Sequence, residues 1–381
     1  MRFGAYHLAR LQALADAGRG QGLRVVALEV ASLDHYPWEL NAESCSFHRH
    51  TLFPEATYQH LRPSEISSRV QAALAHHSPD VVALNGWSVP EARAANAWCR
   101  RQGVPTVLMS ETKADDGPGR RPWWKERIKA HLVRQSQAAL VGGRPQLAYL
   151  VQLGFPPAHI FLGYDAVDNA YFSAQATHWR SDPARVRAEA GLPDLYFFAC
   201  TRFLARKNLD GLLRAYAAYR RITLAESSLP PWDLVLAGSG EAEPALRQLQ
   251  ADLDLSGVYW PGFLPYNQLP LHFALASAFV HPAKEEAWGL VVNEAAACGL
   301  PLLVGHSVGA AQELVQPGRN GWCFDSHSDA AITEALLAVS RLSDTERLAM
   351  GHHSLQIVAN WGPDRFAQGM LDAVACAIHK A

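Results

Sequence analysis

The feature that most constrains the fold of this 381-residue chain is a repeated alternation of short apolar runs with longer helical patterns. The runs are rich in β-branched and aromatic residues, and the stretches between them are long enough to hold a crossover helix. In the first half the runs begin at Leu23, Asp80, Val104 and Ala138. After Pro193 the pattern starts again, with runs that begin at Leu195, Trp232, Val258, Ser277 and Leu300. The alternation predicts an α/β architecture with two parallel sheets, each doubly wound by helices.

The stretch between the two sets of runs is the predicted domain junction. A chain of this length exceeds one ordinary core and suits two α/β domains. Residues 172–191 are polar and carry no clear strand, so we place an N-terminal domain at 1–180 and a C-terminal domain at 181–360. Because ligands of doubly wound sheets bind beyond the carboxyl ends of the strands, two such domains facing each other would form one central cleft.

The start of the chain departs from this pattern. A first domain of this kind should open with an apolar strand, yet Met1 is followed almost at once by a helical stretch that begins at Tyr6. We therefore expect the first strand to be truncated. Two explanations stay open, namely a start assigned too far downstream and a strand that is truly missing.

Composition excludes several classes of protein. The formal net charge is -2, whereas a dedicated nucleic-acid binder would carry a positive balance. The six cysteines are scattered and form no C-x-x-C pair, which indicates reduced thiols in a cytosol. No apolar run reaches the length of a membrane span, and the first residues lack the apolar core of a secretory signal. We expect a cytoplasmic protein, either soluble or resting on the inner face of the membrane.

The strongest chemical signal is a pair of glutamates, Glu286 and Glu294, that flank a strand-to-helix turn. The backbone amides of Trp288, Gly289 and Leu290 at the opening of the helix would point at an anion. Glycine permits close approach of a phosphate, and ionised carboxylates accept hydrogen bonds from paired hydroxyls. The alternative is a solvated charge pair at a helix start.

This segment resembles the E-x7-E signature of retaining GT-B glycosyltransferases, glycosyltransferase family 4 or group 1. The match includes the surrounding E-x-W-G-L, N-E-A-x-A-C-G and L-P residues. The resemblance implies a GT-B fold of two Rossmann-like domains and transfer of a sugar from a nucleotide diphosphate with retention of configuration. It also implies that Glu286 contacts the donor sugar, that Glu294 grips the ribose, and that a helix in 361–381 returns to the first domain.

A second signal consists of Arg202 after a strand and Lys207 before a helix. Two fixed cations in a cleft without water can stabilise the charge that develops on a leaving diphosphate. An isolated arginine and lysine near a helix start, however, often lie on the surface without a functional role. The segment resembles the family's G-R-x-x-x-x-K-N/G motif, with Thr201 in place of glycine. We predict Arg202, Lys207 and Glu286 as catalytic residues, and we favour front-side attack because the motif places no carboxylate behind the anomeric carbon.

Weaker features fit the same donor site. Gly238 belongs to a G-S-G turn that lacks the third glycine of a dinucleotide fingerprint, so we interpret it as a tight turn near the donor. The resemblance places the nucleotide base near Phe263 and Leu264.

The first domain offers three candidates for the acceptor or diphosphate side. Gly4 and His7 stand where relatives have a glycine-rich loop facing the diphosphate. Glu111 stands where many relatives have a histidine. Glu111 could contact the acceptor or act as a base, and it could equally cap the following turn.

No metal or other cofactor is expected beyond the nucleotide sugar as co-substrate. The only D-x-D pair, Asp252 and Asp254, lies in a helical pattern before a strand, which indicates surface charge. The donor base is not readable from the sequence, and we favour UDP-sugars on family frequency. The expected acceptor is a saccharide or a lipid-linked molecule.

Residues 119–135 combine basic side chains with Trp123 and Trp124. Such a segment could lie on an anionic membrane surface, or it could be an ordinary exposed helix whose tryptophans fill the cleft wall.

Two other functions compete with glycosyl transfer. A sugar-nucleotide epimerase of the same fold would rearrange its substrate without a glycosylated product. A non-catalytic partner would bind nucleotide or only dock, but it would have no chemical need for Arg202, Lys207, Glu286 and Glu294.

Overall fold

The computed structural model describes residues 2–33, 45–117, 122–226 and 230–380. The chain divides into two compact units, which are described separately. Unit 1 comprises Met1–Ala114, Pro118–Asp168 and Trp361–Ala381, and unit 2 comprises Asp115–Gly117 and Asn169–Asn360.

Within the described residues, unit 1 contains a four-stranded parallel sheet and a separate parallel pair of strands. Its strands are β1 (Val26–Leu33), β2 (His48–Thr57), β3 (Val82–Asn85), β4 (Thr106–Ser110), β5 (Ala138–Val141) and β6 (Ile160–Leu162). Its first five helices are α1 (Ala5–Arg19), α2 (Pro63–His77), α3 (Pro90–Gln102), α4 (Trp123–Val133) and α5 (Arg144–Gln152). The larger sheet has the order β3-β4-β5-β6, and among the described residues β1 pairs only with β2. Residues 2–4 precede α1 without forming a strand.

Unit 2 contains one six-stranded parallel sheet wrapped by helices. Its strands are β7 (Tyr196–Cys200), β8 (Asp233–Ala237), β9 (Val258–Gly262), β10 (Ala278–His281), β11 (Leu302–Gly305) and β12 (Gly321–Phe324). Its helices are α6 (Asn169–Trp179), α7 (Pro183–Ala190), α8 (Leu209–Glu226), α9 (Glu243–Asp252), α10 (Leu269–Leu275), α11 (Leu290–Ala297), α12 (Ala311–Leu314), α13 (Asp329–Ser340) and α14 (Asp344–Val358).

The strand order of unit 2 is β9-β8-β7-β10-β11-β12, with every pair parallel. Numbered from its first strand, this is the 3-2-1-4-5-6 order of doubly wound nucleotide-binding sheets. The chain therefore reverses direction across the sheet between β7 and β10. Such a reversal opens a crevice at the carboxyl ends of the two strands beside it.

The central strands of unit 2 are almost entirely apolar because both faces of the sheet are covered. Phe197 packs into the core under α8 and α13, where it contacts Tyr219 and Trp232. The next residue, Phe198, points to the opposite face and contacts Phe273 of α10. This two-sided burial explains why the strands appear in the sequence as short continuous apolar runs.

Helix α6 belongs to unit 2, although residues up to 180 were assigned to the first domain from the sequence. Phe172 is fully buried and contacts Tyr266 and Phe273, and Arg180 donates hydrogen bonds to the carbonyls of Ala274 and Cys298. Only Phe172 and Ala176 of this helix are buried. Because so few of its residues are buried, the helix shows little apolar pattern in the sequence and resembles a linker between domains.

The last helix, α15 (Pro363–Lys380), is part of unit 1. It packs against α1 and against the strands β4, β5 and β6. Gly369 is required there, because a side chain at this position would lie 2.4 Å from the carbonyl oxygen of Leu162. None of the helices in the described ranges is long and apolar enough to cross a membrane.

Candidate active site

The predicted catalytic residues of unit 2 follow the two strands at which the strand order reverses. Arg202 and Lys207 come after β7, and Glu286 comes after β10. Because β7 and β10 are neighbours, Lys207 and Glu286 form an ion pair although 79 positions separate them in the chain. The charged residues therefore meet at the edge of the sheet where ligands of this fold class bind.

The ion pair joins Lys207 Nζ to Glu286 Oε2, and its two side chains are 7% and 15% exposed. Burial would raise the pKa of Glu286, but hydrogen bonding from His281 and the charge of Lys207 lower that pKa to about 2. Glu286 is thus an anion at neutral pH. Burial lowers the pKa of Lys207, and the Glu286 carboxylate opposes this shift, while Arg206 and Arg202 add to it. Arg202 therefore acts electrostatically on the same ion pair.

His281, the last residue of β10, is a member of this cluster that the sequence motif did not indicate. Its Nε2 lies 3.3 Å from Glu286 Oε2. Burial lowers the pKa of the imidazole, which favours the neutral ring. The available signal was its position as the one polar residue of the short strand β10, shortly before the glutamate motif.

The backbone around Glu286 is fixed by neighbouring loops. The Lys284 N–H donates to the Arg206 carbonyl at 2.9 Å, and the Gly309 N–H donates to the Glu286 carbonyl at 3.2 Å. The Ala283 carbonyl accepts hydrogen bonds from the hydroxyls of Ser307 and Ser326. The carboxylate therefore extends from a backbone that is held on both sides.

Gly289 provides the left-handed backbone conformation at the N-terminus of α11, with φ of 96°. A side chain here would lie 3.1 Å from Val308 and 3.2 Å from the Glu286 side chain. Leu290 begins the helix, so the predicted amides lie at its first turn. The Trp288 side chain is buried and donates to Asn293 Oδ1 at 2.9 Å, which identifies it as a packing residue of this turn.

Glu294 is buried on the first half of α11, with 1% of its surface exposed. Burial raises the pKa of Cys200, and the charge of Glu294 raises it further. Glu294 therefore lies near the end of β7, in the same part of unit 2 as Lys207.

Gly238 lies where two backbones cross closely. Its φ is 134°, and a side chain would lie 1.8 Å from the Thr201 carbonyl oxygen. The Thr201 N–H donates to Ala237, and the Phe203 N–H donates to Ser239. The G-S-G turn thus lets the segment that carries Arg202 pass across the end of β8.

Phe263 and Leu264 follow β9 at the same edge of the sheet. Phe263 is 43% exposed, whereas Leu264 is 8% exposed. Of the two, Phe263 has the surface that could contact a base.

In unit 1, Gly4 and His7 form the first turn of α1. The Gly4 N–H donates to His7 Nδ1 at 3.1 Å, which needs a bare Nδ1 on the ring. Burial lowers the pKa of His7 to about 3, and the nearby Arg10 contributes to the shift. The adjacent Phe3 N–H donates to the buried carboxylate of Glu29 at 2.7 Å. The His7 ring is therefore neutral at physiological pH, and the turn is held to β1 through Glu29.

Glu111 directly follows β4, and the turn after it is capped by Ser110, whose hydroxyl accepts from the Thr112 N–H at 3.2 Å. Burial raises the pKa of Tyr164, and the charge of Glu111 adds to that rise. Arg10 donates to the Tyr164 carbonyl at 2.6 Å while only 3% exposed. Arg10 was missed from the sequence because nothing separates a buried arginine from a surface one in a helical pattern.

The D-x-D residues lie away from these strand ends. Asp252 ends α9, and Asp254 lies in the loop before β9, so both are at the amino end of that strand. Both are exposed, and Asp252 accepts a hydrogen bond from Gln248. The described residues contain no group of histidine, cysteine and acidic side chains arranged to hold a metal ion.

Helix α4 exposes large apolar side chains. Trp123 is 72% exposed, Trp124 is 50% exposed and Ile128 is 53% exposed. Lys125 lies over the Trp124 ring at 5.4 Å. Gly119, Arg120 and Arg121 of the predicted basic segment lie outside the described residues.

Two family models together match most of the chain. Residues 184–351 match glycosyl transferases group 1, and residues 8–162 match the glycosyl transferase 4-like domain. A D-inositol 3-phosphate glycosyltransferase of Frankia alni is 30% identical over 337 residues, which cover 82% of this chain and 78% of that protein. The chain belongs to the group 1 glycosyltransferases. The predicted family, glycosyltransferase family 4 or group 1, is confirmed.

A second relative is the GDP-mannose-dependent alpha-(1-6)-phosphatidylinositol monomannoside mannosyltransferase of Mycolicibacterium smegmatis. It is 33% identical over 190 residues, which cover 47% of this chain and 47% of that protein. The chain thus spans about half the length of the first such relatives it matches. Among solved structures, Anabaena HepE in complex with UDP-glucose has a TM-score of 0.71 at 17% identity, over 98% of both chains. This likeness confirms the predicted GT-B fold class.

Proposed function

We propose that this glycosyltransferase moves a sugar from a nucleoside diphosphate sugar to a saccharide or lipid-linked acceptor with retention of configuration. The observation that carries the proposal is the convergence of Arg202, Lys207 and Glu286 where the strand order of unit 2 reverses. That edge of the sheet suits a nucleotide, and the charges suit a diphosphate and a sugar.

The residues supply electrostatic stabilisation rather than a covalent intermediate. Arg202 and Lys207 would hold the charge that develops on the departing diphosphate. Glu286, with its pKa lowered to about 2, is ionised at neutral pH and accepts hydrogen bonds from sugar hydroxyls rather than donating a proton. In front-side attack the departing phosphate then takes the acceptor proton. Glu294 would bind the ribose hydroxyls.

Gly4, His7 and Glu111 of unit 1 are proposed for the diphosphate or acceptor side. The neutral His7 has its Nδ1 engaged by Gly4, so its remaining ring nitrogen carries the hydrogen and can donate it. In this scheme Glu111 contacts the acceptor substrate and does not act as a base, because front-side attack requires no separate base.

The identity of the nucleotide base in the donor is the most specific part of the proposal. We favour a UDP-sugar, and the UDP-glucose complex of HepE supports this order. The relatives named as GDP-mannose-dependent make GDP-mannose the second candidate. No metal is expected to take part, since Arg202 and Lys207 supply the positive charge.

The test is a thermal-shift, hydrolysis and transfer screen of the purified protein against UDP-sugars and GDP-mannose, with and without EDTA. One nucleotide should stabilise the protein selectively, and Arg202→Ala and Glu294→Ala should abolish that response. Glu243→Ala is the matched control, because it removes a carboxylate from a surface ion pair in the same unit. Epimerised donor without released nucleoside diphosphate would favour an epimerase. No response to any nucleotide would favour a docking partner.

A peripheral membrane contact through α4 is proposed for delivery of a lipid-linked acceptor. The exposed tryptophans would enter the headgroup region while Lys125 and Arg127 meet anionic lipid. The wild-type protein should float with vesicles containing anionic lipid at low salt, and Trp123→Ser with Trp124→Ser should remain in solution. Leu348→Ser, at a 67% exposed leucine of unit 2, is the control. Equal flotation of all variants would refute the contact.

A further inference from the structure

His281 is a buried polar residue that the glutamate motif does not account for. It ends β10 with 2% of its side chain exposed, and its ring stacks on Phe279 with centroids 6.1 Å apart and planes at 13°. Its Nε2 reaches to within 3.3 Å of Glu286 Oε2. A strand buried on both faces therefore sets the position of the ring, whereas Glu286 lies on the loop that follows.

The protonation of His281 follows from its surroundings. Burial lowers the pKa of the ring, Glu286 opposes that shift, and Lys207 adds to it. A neutral imidazole carries one N–H. The Glu286 carboxylate is ionised and only accepts, so the hydrogen belongs on Nε2.

Both hydrogen bonds to the Glu286 side chain reach the same oxygen. Oε2 accepts from Lys207 Nζ and from His281 Nε2, while Oε1 has no partner within the ranges that the structure describes. The two donors come from different elements, the turn after β7 and the end of β10. Two donors in fixed positions determine the plane of the carboxylate and direct Oε1 to a separate acceptor role.

We propose that His281 is a positioning residue for sugar transfer, which donates a hydrogen bond to Oε2 of Glu286 and so orients the carboxylate for Oε1 to accept a donor-sugar hydroxyl. This assignment rests on the proposed function. It predicts that His281 acts through Glu286 on the sugar and leaves recognition of the nucleotide unaffected.

Three variants separate positioning from packing. His281→Phe keeps an aromatic ring against Phe279 and removes the donor. His281→Gln retains an N–H near the position of Nε2. His272→Phe is the matched control, because His272 of α10 is also buried and stacked, on Phe198 at 5.8 Å, and its ring bonds to Gln268 rather than to the site.

We expect His281→Phe to lower kcat/KM for the sugar nucleotide about 10- to 100-fold, because a hydrogen bond to a charged group is lost. The acid limb of the pH profile of kcat/KM should move to higher pH in this variant, since Glu286 loses a hydrogen-bond donor. Binding of the free nucleoside diphosphate should be unchanged. His281→Gln should recover most of the activity and the wild-type pH profile, and His272→Phe should lower Tm without changing kcat/KM.

Unchanged kcat/KM in His281→Phe, with a fall in Tm like that of His272→Phe, would reduce His281 to a packing residue. A wild-type protein without hydrolysis or transfer would overturn the proposed function and this role together. The ¹⁵N spectrum of the wild-type imidazole tests the hydrogen bond independently of activity. A neutral ring with hydrogen on Nε2 at pH 7 supports it, and an imidazolium or the other tautomer overturns it.

Discussion

The two units build parallel sheets from similar strands, yet they order those strands differently. Unit 2 has one continuous sheet that reverses direction between β7 and β10, whereas the larger sheet of unit 1 runs in chain order from β3 to β6, with β1 and β2 paired apart. The reversal brings residues from distant motifs to one edge. In unit 1 the candidates Gly4 and His7 lie at the first turn of α1, and Glu111 follows β4, so they come from a helix start and a strand end rather than from two neighbouring strands. The two units therefore differ in how the strand order supports the proposed roles.

The largest expected effect concerns the backbone crossing of unit 2. Gly238→Ala should destabilise the protein by more than about 4 kcal/mol and abolish activity, because the new methyl would overlap the Thr201 carbonyl. Gly103→Ala in unit 1 is the control, with a positive φ of 72° and nothing within 4 Å of the added carbon. Chemical denaturation measures both. Similar losses in the two variants would show that backbone strain alone, and not the crossing, sets the cost.

Loss of the ion pair should have the next largest effect. Lys207→Gln should lower kcat about 100- to 1,000-fold, because it removes a donor that stabilises the leaving group. Arg247→Gln, which breaks a surface ion pair with Glu243 in the same unit, should leave kcat unchanged. Steady-state kinetics with the donor found in the screen provide the measurement. If Lys207→Gln has a near wild-type kcat, the charged residues between β7 and β10 do not take part in the reaction.

A smaller effect is expected in unit 1. Glu111→Gln should reduce transfer to the acceptor about tenfold, a loss typical of one charged contact, while hydrolysis of the donor continues. Comparing transfer with hydrolysis in the same preparation isolates the acceptor side. Parallel loss of both reactions would instead place Glu111 with the donor residues, and the contrast between the units would weaken.

The smallest effect concerns stability against pH and involves both units. The pKa values of His7 and His77 in unit 1 and of His272 and His281 in unit 2 are lowered, chiefly by burial. In the unfolded chain these histidines therefore bind protons near pH 6.5, whereas in the folded chain they stay neutral at that pH. The contribution of these groups to stability is complete above that pH and is lost as the pH falls below it.

Thermal unfolding between pH 7.5 and 5.0 tests this expectation. Tm should fall as the pH is lowered, and the fall should be shallower in His7→Asn, whose amide oxygen can still accept from the Gly4 N–H. Burial lowers the pKa of His7 to about 3, so its substitution should make the slope measurably shallower. A Tm that is flat or rises toward pH 5 would contradict the burial assigned to these rings.

The sequence predicted the family and fold class because both depend on local patterns. Strand runs such as the one at Leu195 are apolar for their whole length, and the glutamate motif lies within one strand, turn and helix. His281 and Arg10 were missed because their importance depends on partners that only the folded chain brings near, Glu286 and Tyr164. The role of Gly238 was also unreadable, since the carbonyl it avoids belongs to another strand's loop.

The strand order of unit 2 also has a consequence for folding. Strands β7, β8 and β9 pair in the order of synthesis, but the second edge of β7 stays open until β10 has emerged and docked beside it. Closing that long loop is a slow, non-local step, and an open apolar edge is prone to aggregation meanwhile. Folding intermediates of unit 2 that lack β10 should therefore bind chaperones, and the docking that protects them also creates the charged cluster.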